Sequence, residues 1–124
     1  MRKPDTNESN VQMSDVLCDF CRREWTEDLP MVEGHQGSCI CGRCLTIAYT
    51  EVVNNSVNAA PADFKCALCL EALRDRQALK RESEPGWQSP AYPESGICRR
   101  CIKQSAGVLV KDPDSGWKKP GVSD

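Results

Sequence analysis

The chain has 124 residues, nine of them cysteine, with a formal net charge of −2 and a mean hydropathy of −0.52. That length holds one ordinary domain or two very small ones, and units of about 40 residues need a disulfide, a metal or a partner to stay folded. No apolar run is long enough to cross a bilayer, and the acidic balance excludes a broad basic footprint for nucleic acid.

In chain order, the first residues through Asn10 are polar and contain no apolar run of the kind a secretory leader needs. A reducing, cytoplasmic setting is expected, where thiols favour metal over disulfides. The odd cysteine count also argues against complete internal pairing. Residues 1–14 read as a disordered tail. Residues 15–55 form a first cysteine-bearing module, with pairs at Cys18, Cys21 and at Cys41, Cys44. Between them, Trp25 to Gln36 predicts a short β-hairpin turning near Gly34. After the second pair, Leu45, Ala48, Tyr49, Val52 and Val53 recur at the spacing of one helix face.

Residues 56–64 read as a linker rich in turn formers. Residues 65–110 form the second module, with pairs at Cys66, Cys69 and at Cys98, Cys101. Residues 70–79 predict a short helix. Pro85, Gly86, Pro90 and Pro93 then predict loop. Ile102, Ala106, Leu109 and Val110 give a weaker helical stripe. Residues 111–124 read as a tail of loop character, in which Trp117 is the one residue able to pin it to a surface.

The two modules are repeats of one another. Ile40-Cys41-Gly42-Arg43-Cys44-Leu45 returns 57 residues later as Ile97-Cys98-Arg99-Arg100-Cys101-Ile102. Each module opens with its own CxxC. The spacings are CxxC-x19-CxxC and CxxC-x28-CxxC. Two cysteines flanking two residues aim both sulfurs to one side of a tight turn, which supplies half of a tetrahedron. Four such pairs point to two four-sulfur sites, and tetrahedral sulfur selects zinc, with iron second.

Cross-braced pairing is the alternative to sequential pairing. The repeat favours the sequential sets Cys18, Cys21, Cys41, Cys44 and Cys66, Cys69, Cys98, Cys101. With eight thiolates and two Zn2+ the charge becomes about −6. A site with four protein ligands has no open position for water, so it is structural and no enzyme is expected. Arg22, Arg23, Arg43, Arg99 and Arg100 lie near the thiolates, where they soften site charge or stand as solvated surface groups. Cys39 faces Gly96 in the repeat and reads as a non-ligand. His35, the single histidine, reads as a turn residue.

The first module resembles the N-terminal zinc-binding domain of the ClpX unfoldase. The resemblance rests on Cys18-Asp19-Phe20-Cys21, Val32-Glu33-Gly34 and Cys39-Ile40-Cys41-Gly42-Arg43-Cys44-Leu45, and covers about residues 16–53. It returns more faintly over 65–110. It implies a small zinc-stabilised α+β fold of two tandem treble-clef-like fingers, each a CxxC knuckle, a β-hairpin and a helix. It also implies dimerisation and the binding of substrates or adaptors. Where the family has glycine after its first knuckle, this chain has Arg22 and Leu70. No G-x-x-x-x-G-K-[ST] is present, so the AAA+ ATPase activity is not expected here.

The expected function is a non-enzymatic protein-interaction module of adaptor or substrate-recognition type, with two Zn2+ per chain and no membrane partner. Leu45, Tyr49, Val52 and Leu109 form the expected interaction face. They either join the modules as an internal pseudo-dimer or support self-association. Trp25, Trp87, Tyr92 and Trp117 are candidates for exposed aromatics or local core. The alternative is nucleic-acid binding through the second module and its Arg74, Arg76, Lys80 and Arg81.

Overall fold

The structure, a computed structural model, describes residues 1–121. Two small hairpin-and-helix units are packed against one another. In the first, β1 (Met31–Glu33) pairs antiparallel with β2 (Cys39–Cys41), and α1 (Gly42–Ala48) follows directly. Its last turns widen into a π-type helix over Tyr49–Asn54. In the second, α2 (Leu73–Ala78) precedes β3 (Gly86–Gln88), which pairs antiparallel with β4 (Gly96–Cys98), and α3 (Arg99–Lys111) closes the unit.

The register is the same in both hairpins. Met31 faces Cys41 and Val32 faces Ile40, as Gly86 faces Cys98 and Trp87 faces Ile97. The longer second spacing is absorbed in two places: α2 lies before β3, and the turn over 89–95 is longer than that over 34–38.

The hairpin of the first module turns at Gly34, as the sequence indicates. Its second strand, however, is Cys39–Cys41 rather than a segment inside 25–36. The stretch around Gly86 is a strand and not the predicted loop. Pro85 sits just before β3, where its missing N–H costs no ladder bond, and Pro30 sits just before β1 in the same way. The residues read as a linker are also engaged. Ala59 runs parallel to Trp87, its N–H donating to the Gly86 carbonyl and its carbonyl accepting from the Gln88 N–H. The first residues, read as a tail, fold back alongside Val16 and Leu17 through the bridge Arg2–Val16.

One core serves both units. Leu45, Ala48, Tyr49 and Val52 from the first helix are buried with Ile102, Ala106 and Leu109 from α3. A unit of about 40 residues buries too little apolar surface alone. Pooling the two helix faces gives each side of the core its partner layer. The expected interaction face is thereby located: Leu45, Tyr49, Val52 and Leu109 are all interior and join the modules to each other. They are not free to pair with a second copy, which corrects the expectation of self-association through these faces.

Candidate metal centres and the contacts between modules

Each metal-ligand set is assembled by the same three devices. The knuckle Cys18–Cys21 is closed by the Arg22 N–H donating to the Cys18 carbonyl at 2.9 Å, and Cys66–Cys69 by the Leu70 N–H donating to Cys66 at 2.9 Å. The turn needs a left-handed residue next, and Arg22 (φ 63°) and Leu70 (φ 65°) adopt that conformation without being glycine. The hairpin strand then delivers Cys41 or Cys98. The helix start delivers Cys44 or Cys101.

Backbone N–H groups surround the sulfurs. The Cys18 sulfur accepts from the N–H of Phe20 at 3.4 Å and of Cys41 at 3.3 Å. Cys41 caps α1 by accepting from the Cys44 N–H at 3.5 Å. In the second site the Cys66 sulfur accepts from Cys98 at 3.4 Å, and Cys98 caps α3 by accepting from Cys101 at 3.5 Å. Such donors, with the positive end of a helix, favour thiolate over thiol.

The sulfurs of Cys18, Cys21, Cys41 and Cys44 all lie within 4.8 Å of one another, and so do those of Cys66, Cys69, Cys98 and Cys101. The pairing is therefore sequential. Cys21 and Cys41 are 3.6 Å apart and Cys69 and Cys98 are 3.8 Å apart. A tetrahedron with Zn–S near 2.3 Å has edges of about 3.8 Å, whereas a disulfide would be about 2.05 Å. The donor set and its spacing suit zinc. All nine cysteines are free.

Among themselves the sulfurs ionise unevenly. Hydrogen bonds from Cys18 and Cys44 draw the Cys41 thiol down to about 4, while bonds to Cys18 and Cys41 push Cys44 up. In the second site Cys101 above all holds Cys69 well below the ordinary thiol range, and Cys101 itself is raised by Cys66, Cys69 and Cys98. Four sulfurs at this separation ionise together only around a cation.

Cys39 is outside both sets. It is fully buried and its thiol donates to the Leu17 carbonyl at 2.8 Å. Burial pushes the thiol up to about 11. At the matching position a Cβ on Gly96 would lie 2.8 Å from the Phe64 ring, so Phe64 takes the volume there. His35 is exposed in the turn and belongs to neither ligand set. Its backbone N–H donates to the Leu68 carbonyl at 2.8 Å.

That last bond belongs to a reciprocal set. The hairpin turn of the first module docks on the knuckle of the second through His35 and Leu68. The hairpin turn of the second docks on the knuckle of the first. There Ser95 donates to the Asp19 carbonyl at 2.8 Å and Ser89 to the Phe20 carbonyl at 2.5 Å. Phe20 meets Trp87 with ring centroids 5.6 Å apart. Arg22 ties the edge, pairing with Glu94 at 2.7 Å and lying 4.4 Å over the Tyr92 ring. The swapped pattern is that of a two-fold interface inside one chain. Sequence reasoning missed these serines, although Ser38 and Ser95 align in the repeat.

Half of the basic run of the second module, Arg76 and Arg81, is committed to contacts within it. Arg76 is 2% exposed, donates to the carbonyls of Glu71 and Ala62, and lies 4.1 Å over the Phe64 ring. Arg81 pairs with Glu71 at 3.0 Å and Arg100 with Glu71 at 2.8 Å. Arg74 and Lys80 remain exposed. Among the described residues no helix is long and apolar enough to cross a membrane.

Residues 16–53 match the family model described as ClpX C4-type zinc finger. No curated protein and no solved structure matches the chain. The matched window spans the first knuckle, the first hairpin, α1 and most of the widened turns after it.

Proposed function

We propose that the chain is a non-enzymatic, cytoplasmic protein-interaction module of adaptor or substrate-recognition type, held in shape by two structural zinc ions. The observation that carries this reading is the closure of both metal sites. Each set supplies four sulfurs from the chain itself, three of them buried, so a bound zinc keeps no position for water or substrate. The match of residues 16–53 to the ClpX-type finger points the same way, since a finger of that kind serves binding. The outer surface also carries half-exposed apolar side chains at Ile47, Val108 and Val110, which partners commonly cover.

A photo-crosslinking residue placed at Ile47 or Val108 in the native host tests this. Protein adducts that disappear when Cys41→Ser removes the first site are the expected result. Adducts confined to nucleic acid would refute the reading.

A further inference from the structure

The segment that follows α3 does not trail away. Residues 112–121 fold back across the opposite module and seat Trp117 on α1. The indole N–H donates to the Gly42 carbonyl and to the Thr46 hydroxyl, each at 3.0 Å. The ring meets Tyr49 edge-on, with centroids 6.4 Å apart. Further along, the Asn54 side chain donates to the carbonyls of Pro120 and Gly121 at 3.0 and 3.1 Å.

Gly42 makes the seat possible. A Cβ there would lie 3.1 Å from the indole Cδ1 and 3.2 Å from the Pro30 ring, so the two rings close over a position that carries no side chain. The repeat shows that this is a feature of one module alone. Fifty-seven residues on, Gly42 becomes Arg99, Thr46 becomes Lys103 and Tyr49 becomes Ala106. Those three changes remove the gap, the hydroxyl and the aromatic wall.

The strap is held lightly. Its remaining side-chain and backbone bonds are local, from Ser115 to the Leu109 and Asp112 carbonyls and from the Trp117 N–H to Ser115. Pro113 and Pro120 have no N–H to offer, and Gly116 (φ 65°) makes the bend. Trp117 itself is only half-buried. Segments with few buried contacts open locally well before the core does.

We infer that the Gly42–Thr46–Tyr49 seat is a docking site for an extended, tryptophan-bearing segment of a partner protein, closed in cis by Trp117. The inference rests on the protein-interaction reading and names the chemistry its partner carries. The indole supplies the single N–H donor and the ring edge, and a proline three residues later supplies the carbonyl that Asn54 binds. A tethered strap competes at an effective concentration of about millimolar, so a partner displaces it only with a better-fitting segment.

The test uses the zinc-loaded full chain and a fluorescein-labelled peptide of residues 112–121, read by fluorescence polarisation. The Trp117→Ala chain, with two zinc ions and native helical circular dichroism, binds the peptide at least tenfold more tightly than the parent chain. Alanine in place of the peptide's tryptophan abolishes binding, and so does adding Thr46→Lys to the Trp117→Ala chain. No binding, equal binding by both chains, or binding that survives loss of the peptide's tryptophan overturns the proposal. A second measurement needs no variant: in the parent chain the Trp117 indole proton exchanges with solvent faster than the Ile40 amide. Equal protection would make the strap a fixed part of the core and overturn the proposal. Concentration-dependent dimers that exchange Trp117 would put a second copy in the seat and overturn the assignment to a partner. Protein adducts at Val108 would persist in all these failures, which separates them from failure of the broader reading.

Discussion

Gly34 stands against Leu68 across the two modules with no room for a methyl group: a Cβ there would lie 2.6 Å from the Leu68 carbonyl oxygen and 2.7 Å from its Cα. The backbone at Gly34 is extended (φ −114°), so any residue adopts it, and the requirement for glycine is purely one of space between modules. Gly34→Ala is therefore expected to destabilise by about 1–3 kcal/mol through overpacking. A chemical denaturation midpoint measures it. An unchanged midpoint would mean that the knuckle and the hairpin turn do not meet as described.

The zinc sites and the interface are expected to fail together. Each knuckle is clamped by the other module's hairpin, through His35 and Leu68 on one side and Ser95 and Asp19 on the other. Structural zinc in small fingers contributes about 10–16 kcal/mol of apparent folding free energy. Cys44→Ser should then cost more than one zinc per chain and most of the helical signal, as read by zinc analysis and circular dichroism. A chelator should unfold the parent chain. Full retention of helix in the chelated protein would defeat the metal reading.

Arg76→Lys tests whether a buried arginine organises the second module. Lysine keeps the charge but loses the planar fork that reaches both the Glu71 and Ala62 carbonyls and stacks on Phe64. Leaving the Ala62 carbonyl short of a donor costs about 1–3 kcal/mol, while the Glu71 carbonyl keeps the Cys66 N–H at 2.9 Å. A thermal midpoint lowered by several degrees or more is expected. The change should be larger than for Arg74→Lys on the exposed side of α2.

At Leu70 the prediction separates two substitutions. The left-handed backbone there (φ 65°) resists β-branched side chains most strongly. Leu70→Ile should lose at least about 1 kcal/mol, while Leu70→Gly, which relieves the strain at the expense of a half-buried side chain, should lie near the parent. Equal losses for both would show that packing and not backbone conformation decides this position.

The ligand sets were legible because sulfur chemistry imposes a short local spacing, and four CxxC pairs leave few alternatives. The helix starts were legible for the same reason, since the last pair of each set caps its helix. The strand Gly86–Gln88 was not. Proline and glycine around it read as loop, yet the prolines fall outside its three residues. The parallel of Pro30-Met31-Val32-Glu33 with Pro85-Gly86-Trp87-Gln88 was the available signal, at an offset of 55 rather than 57. The docking of residues 1–3 and 58–60 was invisible because it is made largely by backbone hydrogen bonds, to Asp15 and Leu17 in one case and to Gly86 and Gln88 in the other, which leave no side-chain pattern. Trp117 was legible as a residue able to pin the tail, but the Gly42 and Thr46 seat it finds was not. Arg76 looked like part of a charged run, and only the fold shows that it is interior.

Joining the two fingers in one chain has a consequence beyond holding them together. When two identical chains form a symmetric pair, every substitution appears on both sides at once, and a change that suits one side burdens the other. Here each side is encoded separately. Cys39 is matched by Gly96, Val32 by Trp87, and Gly42 by Arg99; Phe64 fills the space beside Gly96, and Trp117 and Pro30 close over Gly42. One half is thus free to specialise its outer surface while the other keeps the scaffold, an asymmetry that no pair of identical subunits can encode.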